Sequence, residues 1–442
     1  MATQTTSPTP STRREERRVL AGTLVGTTIE WYDFFIYAQA AGLVLAPLFF
    51  SALAEAGGAW AQLAAWASLG VSFLFRPLGA IIAGRLGDRI GRKSVLVMTL
   101  ILMGAATALI GVLPTAAAIG IAAPILLIVL RILQGLSAGG EWGGAVLMAV
   151  EHAPARRRGY FGAYPQIGVP AGMVLATATM FVVTSLTTDE QFMEWGWRVT
   201  FLLSVLLIVV GFVIRRAIGE SPVFEEMARR KQRAAAPLTE LFRTQWRNVI
   251  KAALSHVGSN ASGYLFIAFF SSYAIRVHGM EQGPVLLASA VAGLVWLTAT
   301  LWSGVISDRI GRPRALIIGY VIMFVWMIPL FLLLDTANIG LYSLAIIVFT
   351  IGNGLTYGPL SAMFVEMFPA QIRYSGIAIS YALAAVLGGA FAPLIAEWLL
   401  GATGSSISIA IYVMVLFVIS ALATLTIRDR RGVDLGVQQD QS

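Results

Sequence analysis

The sequence "GDRIGR" at residues 87–92 recurs as "SDRIGR" at residues 307–312, and this repeat decides the fold. A second pattern, E-x-x-P-A-x-x-R, occurs as "EHAPARRR" at 151–158 and again as "EMFPAQIR" at 366–373. The first pair is offset by 220 residues and the second by 215. This order and spacing predict two halves that arose by duplication and share one arrangement of elements.

The composition places both halves in a membrane. Of the 442 residues, 57% are hydrophobic and 12% are charged, and the mean hydropathy is +0.77. Twelve apolar runs are each long enough to span a bilayer, which takes about 20 residues. We therefore predict an all-α membrane protein with twelve transmembrane helices in two six-helix halves. The runs lie near residues 19–50, 61–84, 94–113, 121–150, 160–184, 198–217, 249–275, 284–306, 313–334, 340–365, 373–400 and 406–427.

The basic residues predict the orientation. With a cytosolic N-terminus, 27 of the 31 Lys and Arg residues fall in the tails and in the loops after even-numbered spans. This bias predicts that both termini are cytosolic. We expect the protein in the inner membrane of a prokaryote. The bias also explains the net charge of +8, so nucleic acid is not expected as a partner. The predicted parts are a tail at 1–18, a half at 19–217, a linker at 218–248, a half at 249–427 and a tail at 428–442.

The chain lacks the residues of several other classes of protein. It contains no cysteine, which excludes disulfides and thiolate metal sites, and its three histidines are scattered. We find no nucleotide-binding loop and no nucleophile constellation. We therefore expect no enzyme activity, no metal site and no cofactor, and we expect a monomer.

Several motifs resemble one transporter family. "GRLGDRIGRK" (84–93) and "RILQGLSAGGEWGGA" (131–145) match signatures of the major facilitator superfamily. Other stretches are similar to its metabolite:proton symporters, over essentially the whole chain. This resemblance implies alternating access and the uptake of a small organic-acid anion, with protons as the coupling ion. The further stretches are "IEWYDFFIY" (29–37), "FRPLGA" (75–80), "ESPVFEE" (220–226) and "GPLSAMFVEMFPAQIRYSG" (358–376).

The first span carries carboxylates inside the membrane. One charged side chain at mid-bilayer costs about 2.5–3.5 kcal/mol, so two carboxylates in one span need a compensating use. Helical spacing places five residues on one stripe, which we expect to face the interior of the bundle, while Trp31, Phe34 and Phe35 point elsewhere. The stripe consists of Gly22, Gly26, Glu30, Asp33 and Tyr37.

Arginines at similar depth suggest how protons couple to an anion. Arg131 is the first choice for the substrate-binding or proton-coupling cation, because a guanidinium stays charged and can hold a carboxylate with two hydrogen bonds. Arg76 either contributes positive potential for the anion or pairs with Glu141 as structure. Counting Glu30, Asp33 and Glu141 against these two arginines leaves one acid in surplus, and a buried carboxylate without a cation can take up a proton.

Neutral polar residues in the spans complete a predicted cavity, and charged residues at the loops are predicted to form a gate. The predicted cavity residues are Tyr37, Gln134, Gln166, His256, Ser259, Asn260, Tyr264, Asn353, Tyr357 and Tyr381. By the family resemblance, the gate contains Asp88, Arg89, Arg92, Glu151, Arg158, Asp308, Arg309, Arg312, Glu366 and Arg373. Within it we expect the pairs Glu151 with Arg158 and Glu366 with Arg373.

Other functions stay open at this point. The first rival is a proton-coupled compatible-solute symporter of the proline or betaine type. Osmosensing members of that kind often carry a C-terminal coiled coil, whereas 428–442 is short and lacks heptads. The second rival is a drug/proton antiporter, whose G-P-x-x-G-G element is only partly matched by "GVPAGMV" at 168–174. The last is a non-transporting membrane sensor.

Overall fold

The computed structural model describes residues 13–51, 58–216, 219–229 and 237–436. Within these ranges twelve long helices follow one another, numbered here in chain order. They are α1 Arg13–Ala40, α2 Gly58–Ile90, α3 Arg92–Val112, α4 Ala122–Glu151, α5 Arg158–Leu186, α6 Trp197–Arg216, α7 Trp246–Tyr264, α8 Gln282–Ile310, α9 Arg312–Leu334, α10 Ile339–Tyr357, α11 Arg373–Ala384 and α12 Ile407–Leu425.

The predicted fold of twelve transmembrane helices is confirmed. Ten of the described helices are long and apolar enough by themselves to cross a membrane. The other two, α1 and α7, carry the buried polar residues on which the site below depends. The first helix begins at Arg13, six residues before the predicted span, and the predicted domain boundaries stay predictions. Parts of the predicted tails and linker, at 1–12, 217–218, 230–236 and 437–442, lie outside the described residues.

The two halves have the same internal packing. In the N-terminal half α1 packs on α5, α2 on α4, and α3 on both α4 and α6. In the C-terminal half α7 packs on α11, α8 on α10, and α9 on both α10 and α12. Between the halves α5 packs on α8 and α2 on α11. The repeat seen in the sequence is therefore a repeat of helix packing.

Several long helices are not regular α-helices along their whole length. Wider π-helical turns follow α1, α7 and α11, at Ala41–Leu45, Leu265–Phe270 and Ala385–Gly389. A π-helical turn changes the direction in which the following side chains point. Such turns are frequent at functional sites. After them the helices continue, as Ala46–Phe49, Ser271–Arg276 and Ala392–Thr403. Similarly α10 continues as Leu360–Met367.

Two aspartates join the halves on one face of the membrane, the face that carries both "DRIGR" loops and most basic loops. We call it the basic face. Asp88 accepts hydrogen bonds from the backbone N–H groups of Tyr374 (3.2 Å) and Ser375 (3.1 Å), at the start of α11. Asp308 accepts from the N–H groups of Gly159 (2.8 Å) and Tyr160 (3.0 Å), at the start of α5. A carboxylate at a helix N-terminus is stabilised by the unpaired N–H groups and the helix dipole. Each half therefore caps a helix of the other, and the basic face is closed.

Ion pairs between the halves reinforce these caps. Glu151 pairs with Arg373 at 3.0 Å rather than with Arg158 of its own motif. Glu366 lies 3.8 Å from Arg158 and 3.2 Å from Arg312. The expectation of pairs within each motif is thus wrong, because α4–α5 and α10–α11 meet across the interface and exchange partners. All five side chains are buried. The pairs Glu151–Arg373 and Glu366–Arg158 join the two halves and oppose their separation, whereas Glu366–Arg312 lies within the C-terminal half.

Each "DRIGR" loop is in contact with an acidic residue from the segment that follows its half, which is the linker for the first loop and the C-terminal tail for the second. Gly91 has φ 114° and Gly311 has φ 104°, which only glycine adopts readily. The Glu220 carboxylate accepts from the N–H groups at the start of α3 and lies against Gly91. Asp429 lies against Gly311 in the same way. The linker and the C-terminal tail are therefore structural counterparts, and both belong to the closed basic face.

We expect Gly91→Ala and Gly311→Ala to destabilise the protein. Each adds a Cβ to a glycine-only backbone conformation, at a cost of about 1–3 kcal/mol, and each Cβ overlaps the neighbouring carboxylate. The measurement is the midpoint of thermal unfolding in detergent micelles, which should fall for both variants. Gly70→Ala is the control, because this helical glycine has no atom within 4 Å of an added Cβ. An unchanged midpoint for Gly91→Ala and Gly311→Ala would contradict the proposed strain.

Candidate functional site

The aromatic face of α1 points toward the C-terminal half, and its polar face points into the N-terminal half. Trp31 and Phe34 face the other half, where both rings lie about 6 Å from the ring of Tyr264 on α7 (6.3 and 6.2 Å). The polar stripe lies against its own half, where Asp33 accepts from Ser204 of α6 at 2.5 Å. The space between the halves is therefore bordered by the aromatic residues that the sequence interpretation set aside.

Arg76 of α2 lies between the halves. Its guanidinium carbon is 4.4 Å from the ring centre of Phe73 and 5.5 Å from that of Phe34. One terminal nitrogen donates to the hydroxyl of Tyr264 at 3.2 Å, which links it to the C-terminal half. Its Nε is buried and has no hydrogen-bond partner among the described residues. The expected pairing of Arg76 with Glu141 is not what the structure shows.

Glu30 lies beside Arg76 and interacts with it electrostatically. Glu30 also interacts electrostatically with Asp33, Glu141 and Arg215. One carboxylate oxygen is buried and has no hydrogen-bond partner within the described part of the chain. Glu30 is thus a buried acid at the boundary between the charges of the N-terminal half and the space between the halves.

Glu141 has its own cation, which the sequence interpretation missed. Arg215 of α6 donates to both carboxylate oxygens of Glu141, and Thr99 donates to one of them at 2.6 Å. Gly26 makes this possible, because a Cβ there would overlap the Arg215 guanidinium. Arg215 is 4% exposed, so three arginines and not two balance the three acids. The sequence did contain a sign that Arg215 points inward. Gly211 lies one helical turn before Arg215 on the same face of α6, and this face packs closely on α1 and α3.

Arg131 is held within the N-terminal half. It donates to the carbonyl oxygens of Ser68 (3.3 Å) and Leu69 (3.2 Å) and to the side chain of Gln134 (2.7 Å). Its guanidinium carbon lies 3.8 Å from the ring centre of Tyr37. Gln134 in turn donates to Thr107, whose hydroxyl lies close enough to Asp33 to interact with it. Arg131 and Asp33 are therefore connected through two neutral side chains rather than by an ion pair.

An aromatic stack crosses the interface opposite Arg76. The ring of Trp142 on α4 lies parallel to that of Tyr381 on α11, with centres 3.8 Å apart, and His256 stacks on the other side at 5.3 Å. Trp142 donates to Gln166 at 2.6 Å, and Gln166 donates to the backbone carbonyl of Tyr357 on α10 at 3.1 Å. Of the predicted cavity residues, Gln166, His256, Tyr357 and Tyr381 therefore lie in one connected layer between the halves. Tyr37 and Gln134 instead lie beside Arg131 within the N-terminal half.

This layer contains buried polar atoms without hydrogen-bond partners among the described residues. Such atoms are uncommon in native structures and call for an explanation, of which a bound polar ligand is one. Ser262 and Ser259 donate to Asn353 Oδ1 at 3.3 and 3.5 Å, which leaves the amide nitrogen of Asn353 unused. The unpartnered atoms of the layer are Glu30 Oε2, Arg76 Nε, His256 Nδ1, Asn260 Oδ1 and Asn353 Nδ2.

Twelve membrane helices in two related halves, with charged and polar groups enclosed between them, define a membrane transporter. The profile of the Major Facilitator Superfamily matches residues 24–393, and the chain belongs to this superfamily. The predicted resemblance is confirmed, and the function is transport rather than catalysis.

Related proteins and solved structures support this assignment. The chain is 38% identical to the inner membrane metabolite transport protein YhjE of Escherichia coli, over 88% of this chain and 90% of that protein. It is 37% identical to the shikimate transporter of Escherichia coli, over 93% of this chain and 94% of that protein. The proton:xylose symporter XylE, bound to 6-bromo-6-deoxy-D-glucose, has the same fold with a TM-score of 0.79. At 17% identity, over 96% of this chain and 98% of that one, it shows the fold alone.

We expect Glu141 and Arg215 to be energetically coupled. Removing one partner of a buried ion pair leaves an uncompensated charge, which costs about 3–5 kcal/mol. Glu141→Gln and Arg215→Gln should each lower the free energy of unfolding, and the double variant should lose less than the sum of the two. Unfolding in mixed micelles, arranged as a double-mutant cycle, measures this coupling.

The exposed pair Arg276 and Glu397, with nitrogen and oxygen 2.7 Å apart, is the matched control for that cycle. Both side chains are about half exposed, so their coupling should be no more than about 1 kcal/mol. Additive effects at Glu141 and Arg215 would show that the buried pair is not formed.

Proposed function

We propose that the protein is a proton-coupled symporter that carries a small organic-acid anion into the cell. The observation that carries this proposal is the position of Arg76, a buried guanidinium that reaches both halves and has an unused nitrogen. Beside it stands Glu30, a carboxylate with an unused oxygen. One relative is named as a shikimate transporter, which supports an acid as the class of substrate.

Arg76 is suited to hold the carboxylate of the substrate. Its planar fork matches a carboxylate, and the rings of Phe73, Phe34 and Trp31 keep water away, which strengthens the charge-assisted hydrogen bonds. The unpartnered groups of Asn260 and Asn353 offer an acceptor and a donor to hydroxyl or keto groups of the same molecule. We therefore propose a substrate with one carboxylate and further polar substituents.

Glu30 is the proposed carrier of the proton. When a substrate anion binds Arg76, its negative charge competes with Glu30 for the same cation and favours protonation of Glu30. Asp33 is a second acid, reached from Glu30 by one helical turn, and its unused oxygen can accept the same proton. Glu141 is the weaker choice because Arg215 and Thr99 already occupy both of its oxygens.

Arg131 keeps a different proposed role. Its donors are directed to Ser68, Leu69 and Gln134 in its own half, so a substrate would have to displace existing hydrogen bonds. Through Gln134 and Thr107 it adjoins Asp33, which fits a coupling residue. Its action as a substrate ligand remains a prediction, and Arg76 is the residue that the geometry favours.

The basic face is proposed to be cytosolic, because Lys and Arg residues collect on the cytosolic side of membrane proteins. The structure is then a state closed to the cytosol. Release of substrate and proton requires the caps at Asp88 and Asp308 to break, so the predicted gating residues would control the rate of opening.

We expect Arg76→Gln to lower uptake of the transported acid by about tenfold or more. Hydrogen bonds to a charged group contribute about 1.5–3 kcal/mol, and each 1.4 kcal/mol is a factor of ten in affinity. Arg76→Lys should be intermediate because it keeps the charge but loses the fork. The measurement is uptake into proteoliposomes with a pH gradient, using a panel of mono- and dicarboxylic acids, betaine and a neutral sugar.

Arg276→Gln serves as the control, because it removes an exposed arginine remote from the layer and should transport like the wild type. Uptake of betaine but of no acid in the panel would overturn the anion proposal. Uptake that persists unchanged when the proton gradient is collapsed would overturn symport.

We expect Glu30→Gln to retain exchange of substrate across the membrane and to lose accumulation of substrate against a gradient. Glutamine imitates the protonated acid, so the loaded carrier should still exchange internal for external substrate while it no longer accumulates substrate against a gradient. Both rates are measured in the same proteoliposomes, with Asp33→Asn as the alternative carrier and exposed Glu397→Gln as the control. Wild-type accumulation by Glu30→Gln would assign the proton elsewhere.

A further inference from the structure

The halves meet along two seams on the basic face, and the described residues of the linker cover one of them. At the α2–α11 seam, the linker helix Pro237–Thr244 packs against both helices and buries Leu241 completely. At the α5–α8 seam the backbones approach closely at Gly159 and Gly304, but a cavity of about 560 Å³ opens beside them. We call it the seam cavity.

The seam cavity is rich in positive charge. Its charged lining comes from Arg156 and Arg157 before α5, from Asp308 and Arg309 at the end of α8, and from Arg431 of the tail. Neither Arg156 nor Arg309 has an ionic or hydrogen-bonding side-chain partner within the described ranges. The cavity thus brings four arginines from three segments together, with one acid among them.

The acid in the seam cavity, Asp308, already has hydrogen-bond partners. Asp308 accepts from the N–H groups of Gly159 and Tyr160 and from Arg312 at 2.7 Å, so its charge is used by groups other than the four arginines. Arg157 lies over the ring of Tyr160, 5.0 Å from its centre. Arg431 is the only one of the four arginines that pairs with another acid of the described residues, Asp429 at 3.3 Å. The chemistry of the cavity is therefore that of a site for a phosphate group.

The surface next to the charges is apolar. Val305 lines the cavity and is 37% exposed, and Trp302, one turn deeper into the membrane on α8, is 60% exposed. An exposed tryptophan near the end of a membrane helix is typical of a surface that faces lipid at the interface. Basic pockets between membrane helices above such surfaces suit the head groups of acidic lipids.

We propose that the seam cavity binds the head group of an anionic phospholipid, whose acyl chains lie along Val305 and Trp302. The arginines belong to both halves, so the bound phosphate stabilises the state in which α5 and α8 are packed together on the basic face. The lipid acts at this seam as the linker helix acts at the other. This proposal does not depend on the transported substrate.

The test uses the full-length chain with phosphatidylglycerol, phosphatidylcholine or soluble glycerol phosphate. Lipid retention is measured by native mass spectrometry, and hydrogen exchange of residues 152–164 is measured in nanodiscs of the two lipids. We expect phosphatidylglycerol to be retained at least tenfold more tightly than phosphatidylcholine and to slow exchange of this segment. Arg156→Gln/Arg157→Gln should abolish both effects, and Arg156→Gln alone should weaken them.

Arg229→Gln/Arg243→Gln is the matched control, because it removes two exposed arginines of the linker from the same face. It should keep the preference for phosphatidylglycerol. Equal retention of the two lipids, or an equal loss in the control, would overturn the proposal. Equal protection by glycerol phosphate would instead establish a site for soluble anions and would overturn the lipid assignment.

Discussion

A charged side chain inside a bilayer needs a partner, and much of this structure follows from that constraint. An unpaired charge at the helix centre costs about 2.5–3.5 kcal/mol. The buried charges of the candidate site in the N-terminal half are the acids Glu30, Asp33 and Glu141 and the arginines Arg76, Arg131 and Arg215. The Arg215 guanidinium, which pairs with Glu141, lies directly against Gly26 of α1. Because glycine has no side chain, α1 can pack close to α6 at this point. The position of α1 in turn sets the direction of its two faces, with carboxylates toward its own half and aromatic rings toward the other.

The same constraint makes the interface between the halves reversible. Asp88, Glu151, Asp308 and Glu366 each bind groups of the opposite half. Each of them also lies near an arginine of its own half, Arg92 or Arg312. Separation of the halves exposes these groups to water, which hydrates them. The net free energy of each contact is therefore small compared with its strength in a dry interior, and an interface of this kind can open and close.

The sequence predicted the architecture well because its signals are local. Span lengths, the repeated "DRIGR" loops and the distribution of basic residues each depend on neighbours in the chain. The charge partners depend instead on contacts between distant helices. Arg215 stands beside Arg216 at a helix end and was counted with the basic loops, although its side chain turns inward over Gly26. The aromatic residues of α1 were set aside for the same reason, since periodicity defines a face but not its direction.

The charge arrangement explains why coupling between anion and proton would be centred on Glu30. Arg215 binds both carboxylate oxygens of Glu141, so Glu141 already has a cation of its own next to Glu30. Within the described part of the chain, Arg76 is the only one of the three arginines that bonds to the other half, through Tyr264. If Arg76 holds the substrate anion, as we propose, the anion would compete with Glu30 for the positive charge of Arg76. Because the bond from Arg76 to Tyr264 joins the two halves, movement of the halves would change the surroundings of Arg76 as well. In the proposed mechanism Arg76 would therefore link both substrate binding and the conformation of the transporter to the protonation of Glu30.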